Sequence, residues 1–440
     1  MKRIVLGLIG FGTIGTGVVK LLQKNAALIR RRLGAQLVLK RIADLDITSA
    51  RDVAVSPSVL TTDAAHVIDD ADINIVIELM GGIQPAKKYI MRALKNGKHV
   101  VTANKALLAE SGADIFRVAA EQGVDVAFEG SVGGGIPIIR AVREGFSANH
   151  LLGIFGILNG TSNYILSRMT EQNEHFEKVL KDAQQQGFAE ADPTLDIEGI
   201  DTAHKLAVLI NLAYGRNINL KNIYTEGISE LTPLDIEFAR ELGYTIKLLA
   251  ICRGNAEKVD ARVHPTLIPE RHLLSQVSGT FNAVFLQGDA VGPCMLYGKG
   301  AGMMPTASAV VSDIIDLARN IQKGISQRIL PATACAGPVC DIKVRDISNI
   351  QTRYYLRFSA VDKPGVLANI AGILGRNQIS IHSVMQRGRR MRGGAVPIFM
   401  LTHEARESNL QKALREMNRL TILRGRTMCI RIEDGFLQAE

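Results

Sequence analysis

The chain contains no tryptophan and lacks the cysteine patterns of disulfide-bonded or zinc-binding proteins. Its 440 residues include 13 Phe, 8 Tyr and no Trp, and no segment alternates basic with aromatic side chains. We therefore expect no nucleic-acid partner. The five cysteines form no CxxC pair and no Cys/His ligand spacing, which argues for a reducing compartment. Cys335 and Cys340 are interpreted as small buried residues near a linker.

Long hydrophobic runs are also missing. No stretch of about 18 consecutive apolar residues occurs, and glycines such as Gly7 and Gly10 interrupt the apolar N-terminal segment. We predict no signal peptide and no membrane span, and hence a cytoplasmic protein. With 47% hydrophobic and 22% charged residues, the composition is typical of an α/β protein, and a length of 440 residues indicates two or three domains. The net charge of +9 suits an acidic small-molecule partner.

The first 135 residues alternate short apolar runs with helical patterns. Helices are predicted over 14–33, 85–96 and 113–121, between strand-like runs. This order predicts a parallel, doubly wound, Rossmann-type dinucleotide-binding domain over 1–135.

The remaining chain divides into three parts. Residues 136–304 predict an α+β domain for substrate binding, catalysis and dimerisation, including a strand at 289–291, and the helix at 305–320 is expected to return to the first domain. Residues 321–350 suit a linker, because they contain Pro331, Gly337 and Pro338 and have little periodicity. Residues 351–440 follow the order βαββαβ, which predicts a ferredoxin-like domain. Its last strand is placed at 422–432.

A glycine fingerprint, Gly10-Phe11-Gly12-Thr13-Ile14-Gly15, directly follows the first predicted strand. Its glycines permit a tight turn and close approach of the backbone to a pyrophosphate, which predicts dinucleotide binding. Asp44 or Asp46 at the end of the second strand favours NAD, whereas Lys40 or Arg41 suits the 2′-phosphate of NADP. The choice between the two cofactors stays open.

The segment 183–205 contains many acids interrupted by glycine, proline and apolar residues. Asp201 and Lys205 lie four residues apart on a predicted helix, so the carboxylate can hold the ammonium group. Because Ala203 and Leu206 leave this helix little polar surface, we expect the pair to face an interior or a cleft. A buried lysine of this kind is a plausible proton donor.

The chain resembles the homoserine dehydrogenase family over about residues 1–320. The resemblance lies in the segments 183–205, 159–164 and 102–105. It implies reversible, NAD(P)H-dependent reduction of L-aspartate 4-semialdehyde to L-homoserine, in threonine, methionine and isoleucine biosynthesis.

The same resemblance implies roles for individual residues. Lys205 would be the proton donor, Lys105 a second lysine at cofactor and substrate, and Gly302 part of a loop that touches the cofactor. Substrate would be bound by Glu190 and Asp201, with Asp196 in support. A monovalent cation, usually sodium, would be held by the backbone carbonyls of Glu129, Val132, Gly134 and Ile136.

The C-terminal segment resembles an ACT domain. The resemblance lies in the run from Asp362 through Gly365, Val366 and Leu367, followed by Asn377 and Ile379. It implies a homodimer or homotetramer and an amino-acid effector, which in this family would be threonine. An inert dimerisation module is the alternative. The arginine-rich segment 387–392 is interpreted as a solvated loop.

Two other functions are weighed against this one. Another semialdehyde oxidoreductase would acylate a cysteine, yet no cysteine stands at a strand end beside a basic partner in the catalytic region. A catalytically inactive amino-acid or nucleotide-binding regulator would be expected to lack Lys105, Lys205 or the acids between them. All of these residues are present.

Overall fold

A computed structural model describes residues 2–329, 341–386 and 394–436. In the first part, a six-stranded parallel sheet has the order β3-β2-β1-β4-β5-β6. Its strands are β1 (Arg3–Ile9), β2 (Gln36–Ala43), β3 (Leu60–Thr61), β4 (Ile75–Glu78), β5 (His99–Thr102) and β6 (Val126–Ala127). Its helices are α1 (Thr13–Lys24), α2 (Ala26–Leu33), α3 (Ala65–Ile68), α4 (Gln84–Lys95) and α5 (Lys105–Glu121). The Rossmann-type sheet is confirmed, and its central strands are apolar because helices cover both faces.

Three local predictions need correction. The helix predicted over 14–33 is two helices that meet at Asn25. The helix predicted over 113–121 begins at Lys105, because the Asn104 side chain accepts a hydrogen bond from Leu107 N and caps it. The strand predicted at 289–291 is the turn of a hairpin, since Gly292 adopts a φ of +73° there.

A second, mixed sheet forms the middle of the chain. Its strands are β7 (Leu151–Ile157), β8 (Tyr224–Thr225), β9 (Tyr244–Gly254), β10 (Lys258–Pro269), β11 (Phe281–Gly288) and β12 (Gly292–Lys299). The accompanying helices are α6 (Ile138–Arg140), α7 (Gly160–Gln172), α8 (Phe176–Gln185), α9 (Thr194–Ile197), α10 (Ile200–Tyr214), α11 (Pro233–Glu241) and α12 (Met303–Lys323). Strand β7, which no sequence pattern predicted, lies between β11 and β9 and leads directly into α7.

Helix α12 packs against the first sheet. Val310 and Ile314 share a buried cluster with Leu6 and Leu8 of β1. A Cβ added at Gly17 would lie 2.7 Å from Met303 Cγ, so the second turn of α1 and the first turn of α12 are in close contact. The N-terminus of α12 is thereby held beside the glycine fingerprint.

The C-terminal part contains β13 (Lys343–Val344), β14 (Gln351–Val361), β15 (Ile381–Gln386), β16 (Ala395–Thr402), β17 (Ala405–Arg406), β18 (Met428–Ile432), α13 (Val366–Arg376) and α14 (Glu407–Met417). The order β18-β14-β16-β15 is antiparallel and confirms the ferredoxin-like unit. Its last strand begins only at Met428, not at 422. Strand β18 pairs with β10, so this unit extends the second sheet. Cys335, Cys340 and the segment 387–392 lie outside the described residues.

Part of the predicted linker is ordered against the second sheet. Strand β13 pairs in parallel with β10 through Lys258 and Val259, and α12 continues to Lys323. Over the stretches of chain given above, no helix combines the length and apolar character that crossing a membrane requires.

Candidate active site

The glycine fingerprint forms the turn between β1 and α1. Gly10 has a φ of +98°, and a Cβ there would lie 2.5 Å from the backbone carbon of Leu79. At Gly15 a Cβ would lie 2.2 Å from the Gly10 carbonyl oxygen, whereas at Gly12 it would meet no atom of the described residues within 4 Å. The turn therefore needs two of its glycines for closure and leaves open space at the third. That space lies at the N-terminus of α1, where a pyrophosphate fits the helix dipole.

Asp44 follows β2 and faces the fingerprint. Its Oδ2 accepts a short hydrogen bond from Phe11 N, and its Oδ1 accepts from Asp46 N at 2.9 Å. Arg51, which no sequence pattern indicated, stacks on the Phe11 ring at 4.6 Å from the ring centroid and lies 3.8 Å from Asp44 Oδ1. An acid and a base thus stand together where a Rossmann site holds the adenosine ribose.

The two basic residues that the sequence offered for this position have other partners. Lys40 Nζ lies 2.8 Å from Asp70 and 2.7 Å from Asp72. Arg41 donates to the Ser58 carbonyl at 2.8 Å. The interpretation of either residue as a 2′-phosphate ligand is not supported by these contacts.

Two lysines meet on one carboxylate at the boundary between the two sheets. Lys205 Nζ, on α10, donates to Asp201 Oδ2 at 2.7 Å and to the Leu158 carbonyl at 2.6 Å. Lys105 Nζ, at the start of α5, lies 3.0 Å from Asp201 Oδ1. The Lys205 side chain is 10% exposed and that of Lys105 is 40% exposed. One ammonium group is therefore buried, while the other remains accessible to a ligand.

The charges of this cluster stabilise one another. Burial acts to raise the pKa of the Asp201 carboxyl, but the ammonium groups of Lys205 and Lys105 outweigh burial and hold that pKa well below its ordinary value. Burial acts to lower the pKa of Lys105, but Asp201 outweighs it and the pKa lies above its ordinary value. At neutral pH Asp201 is ionised and Lys105 is protonated.

The other acids of the segment lie around this cluster. Asp196 Oδ1 accepts from Asn159 Nδ2 at 2.6 Å, and the same Nδ2 donates to Asp201 Oδ2 at 2.9 Å. Glu190 is exposed, and its charge contributes to the raised pKa of Lys105. The predicted acids and lysines are thus brought together, with Glu190 on the solvent side.

The loop 129–136 offers free carbonyl groups. Across the described residues, no hydrogen bond reaches the carbonyl oxygens of Val132 and Gly134, while that of Ile136 accepts from Ile138 N at 2.8 Å. The Glu129 carboxylate accepts from the N–H groups of Ile139 and Arg140 at 2.8 and 2.9 Å, which caps α6. Two unpartnered carbonyls in a glycine-rich turn fit a monovalent cation.

Gly302 lies at the start of α12 and close to this loop. It has a φ of +113° and is the N-cap residue of the helix. Just before it, the Lys299 carbonyl accepts from Gly135 N at 2.9 Å. The returning loop therefore contacts the predicted cation site, and α12, which follows it directly, contacts α1.

Two buried polar residues beside the site were missed from sequence. Glu78, an acid at the end of apolar β4, accepts from the Thr102 hydroxyl at 2.6 Å and from Met80 N at 2.9 Å, and burial raises its pKa. Asn282 on β11 is buried, and neither of its amide atoms has a partner within the parts of the chain described above. Its Nδ2 lies against Gly300, where an added Cβ would be only 1.9 Å away. Only Glu78 had a sequence signal, its position at a strand end.

The residues predicted to hold an effector fall into two groups. Gly365, with a φ of +88°, caps the start of α13, and Asp362 and Leu367 beside it are exposed. Asn377 lies at the other end of α13, and Ile379 beyond it is buried. The 11-residue helix separates the groups by roughly 16 Å. One chain therefore does not bring both groups to one small ligand.

Two of the three described cysteines have thiols with raised pKa values. Cys252 lies inside β9, where burial raises its pKa to about 12, and burial also raises the pKa of Cys429. These thiols are protonated at neutral pH, so they do not support a covalent route through a thiolate.

Three family models match the chain. The model described as homoserine dehydrogenase matches residues 137–315, that of the homoserine dehydrogenase NAD binding domain matches 10–129, and that of the ACT domain matches 354–421. The sequence is 43% identical to a homoserine dehydrogenase of Pseudomonas aeruginosa and 39% identical to one of Bacillus subtilis. Each alignment covers 98% of this chain and 99% of the relative.

Solved structures agree with these relatives. The crystal structure of a homoserine dehydrogenase from Thiobacillus denitrificans is 46% identical, with a TM-score of 0.92 and 99% of both chains covered. A homoserine dehydrogenase from S. aureus is 33% identical, with a TM-score of 0.77, and the match covers 98% of this chain and 99% of the other.

Proposed function

We propose roles for the residues of this site from the premise that the chain belongs to the homoserine dehydrogenase family and is an NAD(P)-dependent oxidoreductase. The reaction interconverts L-homoserine and L-aspartate 4-semialdehyde by moving a hydride at carbon and a proton at oxygen. The bound nicotinamide supplies or accepts the hydride. The chain must hold the amino acid and handle the proton.

Lys205 is the proposed proton donor in the direction of reduction and the acceptor in the reverse direction. Its buried ammonium group is fixed by Asp201 and the Leu158 carbonyl, so it presents a proton from a defined position. Lys105, on the cofactor-binding domain, shares Asp201 and is the more exposed lysine. We assign it to orienting the substrate oxygen beside the cofactor. The observation that carries these roles is the single carboxylate held by lysines from both domains.

The acids of the segment are the proposed ligands of the substrate ammonium and hydroxyl groups. Glu190 is exposed and Asp196 has one carboxylate oxygen bound by Asn159, so both retain acceptor capacity.

The direct test of the proposed activity is reduction of NAD+ and NADP+ by the purified chain with L-homoserine. Failure to reduce either cofactor would overturn the assignment of this site.

Cofactor preference is proposed to depend on Asp44 and Arg51. A carboxylate at Asp44 accepts from a ribose 2′-hydroxyl, whereas the Arg51 guanidinium suits a 2′-phosphate. Initial rates with NADH and NADPH side by side test this. Asp44→Ala should raise KM mainly for NADH and Arg51→Ala mainly for NADPH. Equal shifts for both cofactors would contradict the proposal.

A monovalent cation, with sodium as the first choice, is proposed to bind the carbonyls of Glu129, Val132, Gly134 and Ile136. Two of these carbonyls accept no hydrogen bond from any described residue, which supports the assignment. Bound cation would fix the loop that contacts residues 298–302. Thermal unfolding in NaCl and in choline chloride at equal ionic strength tests it. Identical unfolding temperatures in the two salts would contradict a specific site.

Threonine is proposed as an effector at the start of α13. The N-terminus of α13, where Gly365 and Leu367 are exposed, suits an amino-acid carboxylate. Because Asn377 and Ile379 lie at the far end of α13, they would contribute from a second chain, which supports a homodimer or homotetramer. Threonine titration of the full chain should show inhibition that Asp362→Ala weakens and Arg415→Ala, on exposed α14 surface, leaves unchanged. Equal inhibition of all three would contradict the site.

A further inference from the structure

Asn159 lies at the point where the second sheet meets the catalytic segment. It follows β7 by two residues and is buried, with 6% of its surface exposed. Its Oδ1 accepts from Ser162 N at 2.8 Å, which caps the start of α7. Its Nδ2 donates to Asp196 Oδ1 at 2.6 Å and to Asp201 Oδ2 at 2.9 Å. The amide oxygen of Asn159 therefore accepts one hydrogen bond, and its nitrogen donates two.

The amide nitrogen of Asn159 contacts two carboxylates, and capping of α7 does not require these contacts. Asp196 and Asp201 both carry negative charge, and like charges brought close together repel. A single nitrogen that donates one hydrogen to each carboxylate holds them in fixed orientation. Within the described residues, Asn159 is the one hydrogen-bond donor to the Asp196 carboxylate.

The neighbouring residue completes the arrangement. The Leu158 carbonyl accepts from Lys205 Nζ at 2.6 Å. Two consecutive residues therefore position the buried lysine and the two acids, and Asp201 Oδ2 accepts from Lys205 and Asn159 together. A shift of Asn159 would therefore change the positions of the proposed proton donor and of the proposed substrate ligands together.

We propose that Asn159 is a positioning residue, whose side-chain amide keeps Asp196 and Asp201 aimed at the substrate. This inference rests on the proposed roles of Lys205 and the acids. It assigns Asn159 no contact with substrate or cofactor. The amide acts through the carboxylates it holds.

The test uses three variants of the full chain that separate capping from donation. Asn159→Asp and Asn159→Ser both keep an oxygen that can cap α7, whereas Asn159→Ala does not. Asn159→Asp replaces the donor with a third carboxylate, and Asn159→Ser removes the amide donor without adding charge. We expect kcat/KM for L-homoserine to fall by about 100-fold in Asn159→Asp and about 10-fold in Asn159→Ser. KM should rise in both, because Asp196 loses its orientation.

Thermal unfolding of the same samples gives the control. If Asn159 only caps the helix, activity will follow the unfolding temperature, with Asn159→Ala lowest and the two capping variants close to wild type. That result, or a kcat/KM of Asn159→Asp within about threefold of wild type, would overturn the inference. Wild-type chain that fails to oxidise L-homoserine would instead overturn the proposed function. Asn163→Ala is the matched control. Asn163 lies one turn along α7, and among the described residues its side chain bonds only to backbone carbonyls and to Lys247, so its loss removes an asparagine without breaking a contact with an acid.

Discussion

Lys205 and Arg431 are both buried cations held by carboxylates. Their two clusters differ in how fully the charged groups are paired and buried. Arg431, on β18, donates to Glu407 at 2.7 and 2.9 Å and to Glu226 at 2.8 Å. We call this cluster, where β18 meets β10, the sheet junction. Around Lys205, the Asp201 carboxylate is shared by two lysines, and Lys105 remains 40% exposed.

The orphaned polar atoms show the same contrast. Over the described residues, the buried side-chain atoms without partners include Thr202 Oγ1 on α10 and both amide atoms of Asn282, and none belongs to the sheet junction. Burying an unpaired polar group costs stability, so such groups persist where a ligand or a movement gives them a use. Closed pairing is typical of a structural cluster, whereas open pairing supports the catalytic role proposed for the Lys205 cluster.

Among the substitutions that test this contrast, the largest effect is expected on catalysis, from the loss of Lys205. Lys205→Ala should lower kcat by about 100- to 10,000-fold, the usual range for loss of a general acid. Lys178→Ala is the matched control, because Lys178 forms an i,i+4 pair with Glu174 on an exposed face. Initial rates with L-homoserine measure both. If kcat of Lys205→Ala falls by less than about threefold, the proton donor is Lys105 or water and not Lys205.

Arg431→Met should mainly affect stability. Removing one partner leaves Glu407, 1% exposed, with an unpaired buried charge, so the free energy of unfolding should fall by about 3–5 kcal/mol. Urea unfolding measures this. Arg353→Met, whose partner Asp434 is 40% exposed, should cost only about 0–1 kcal/mol. Comparable losses in the two variants would refute the view that the junction depends on closed, buried pairing.

Sequence pattern predicted one of these clusters far better than the other. The four-residue spacing of Asp201 and Lys205 on an apolar helix was enough to place them together, because both lie on one local element. The sheet junction joins Arg431 to Glu226, which is 205 residues away, and no local period indicates such a pair. Lys105 was predicted from the family resemblance, and its contact with Asp201 depends on how two domains pack.

The fold shows the same division. The fingerprint and the βαββαβ order followed from local apolar periods and glycine positions. Strand β7 was missed because its two glycines, Gly153 and Gly156, interrupt the strand pattern, and it is ordered by pairing with β9 and β11. Arg51 and Asn282 were missed because their importance lies entirely in tertiary contacts.

Lys247 provides a third buried cation, held mainly by neutral groups. Its Nζ donates to the Val277 carbonyl at 2.6 Å, and burial lowers its pKa to about 8. The unfolded chain keeps the ordinary pKa near 10.5, so between pH 8 and 10.5 it binds more protons than the native state. The free energy of unfolding, relative to Lys247→Met, should therefore rise by up to about 3 kcal/mol over that range. Urea unfolding at several pH values measures the difference, and a constant difference would contradict the lowered pKa.

Asn282 gives the smallest and most diagnostic effect. Because neither amide atom is paired with a described residue, Asn282→Leu removes two buried polar groups at nearly constant size, and the free energy of unfolding should rise by about 1 kcal/mol. The same change should lower kcat/KM, since the amide lies against Gly300 in the loop that leads to Gly302. Tyr354→Phe at the junction, where the hydroxyl donates to Glu407 at 3.0 Å, should do the reverse and lower stability while leaving kcat/KM unchanged. Thermal unfolding and initial rates on both variants decide the point. If Asn282→Leu destabilises the chain as Tyr354→Phe does, then Asn282 is paired in solution. The contrast between the open and the closed cluster would then depend only on the two lysines that share Asp201.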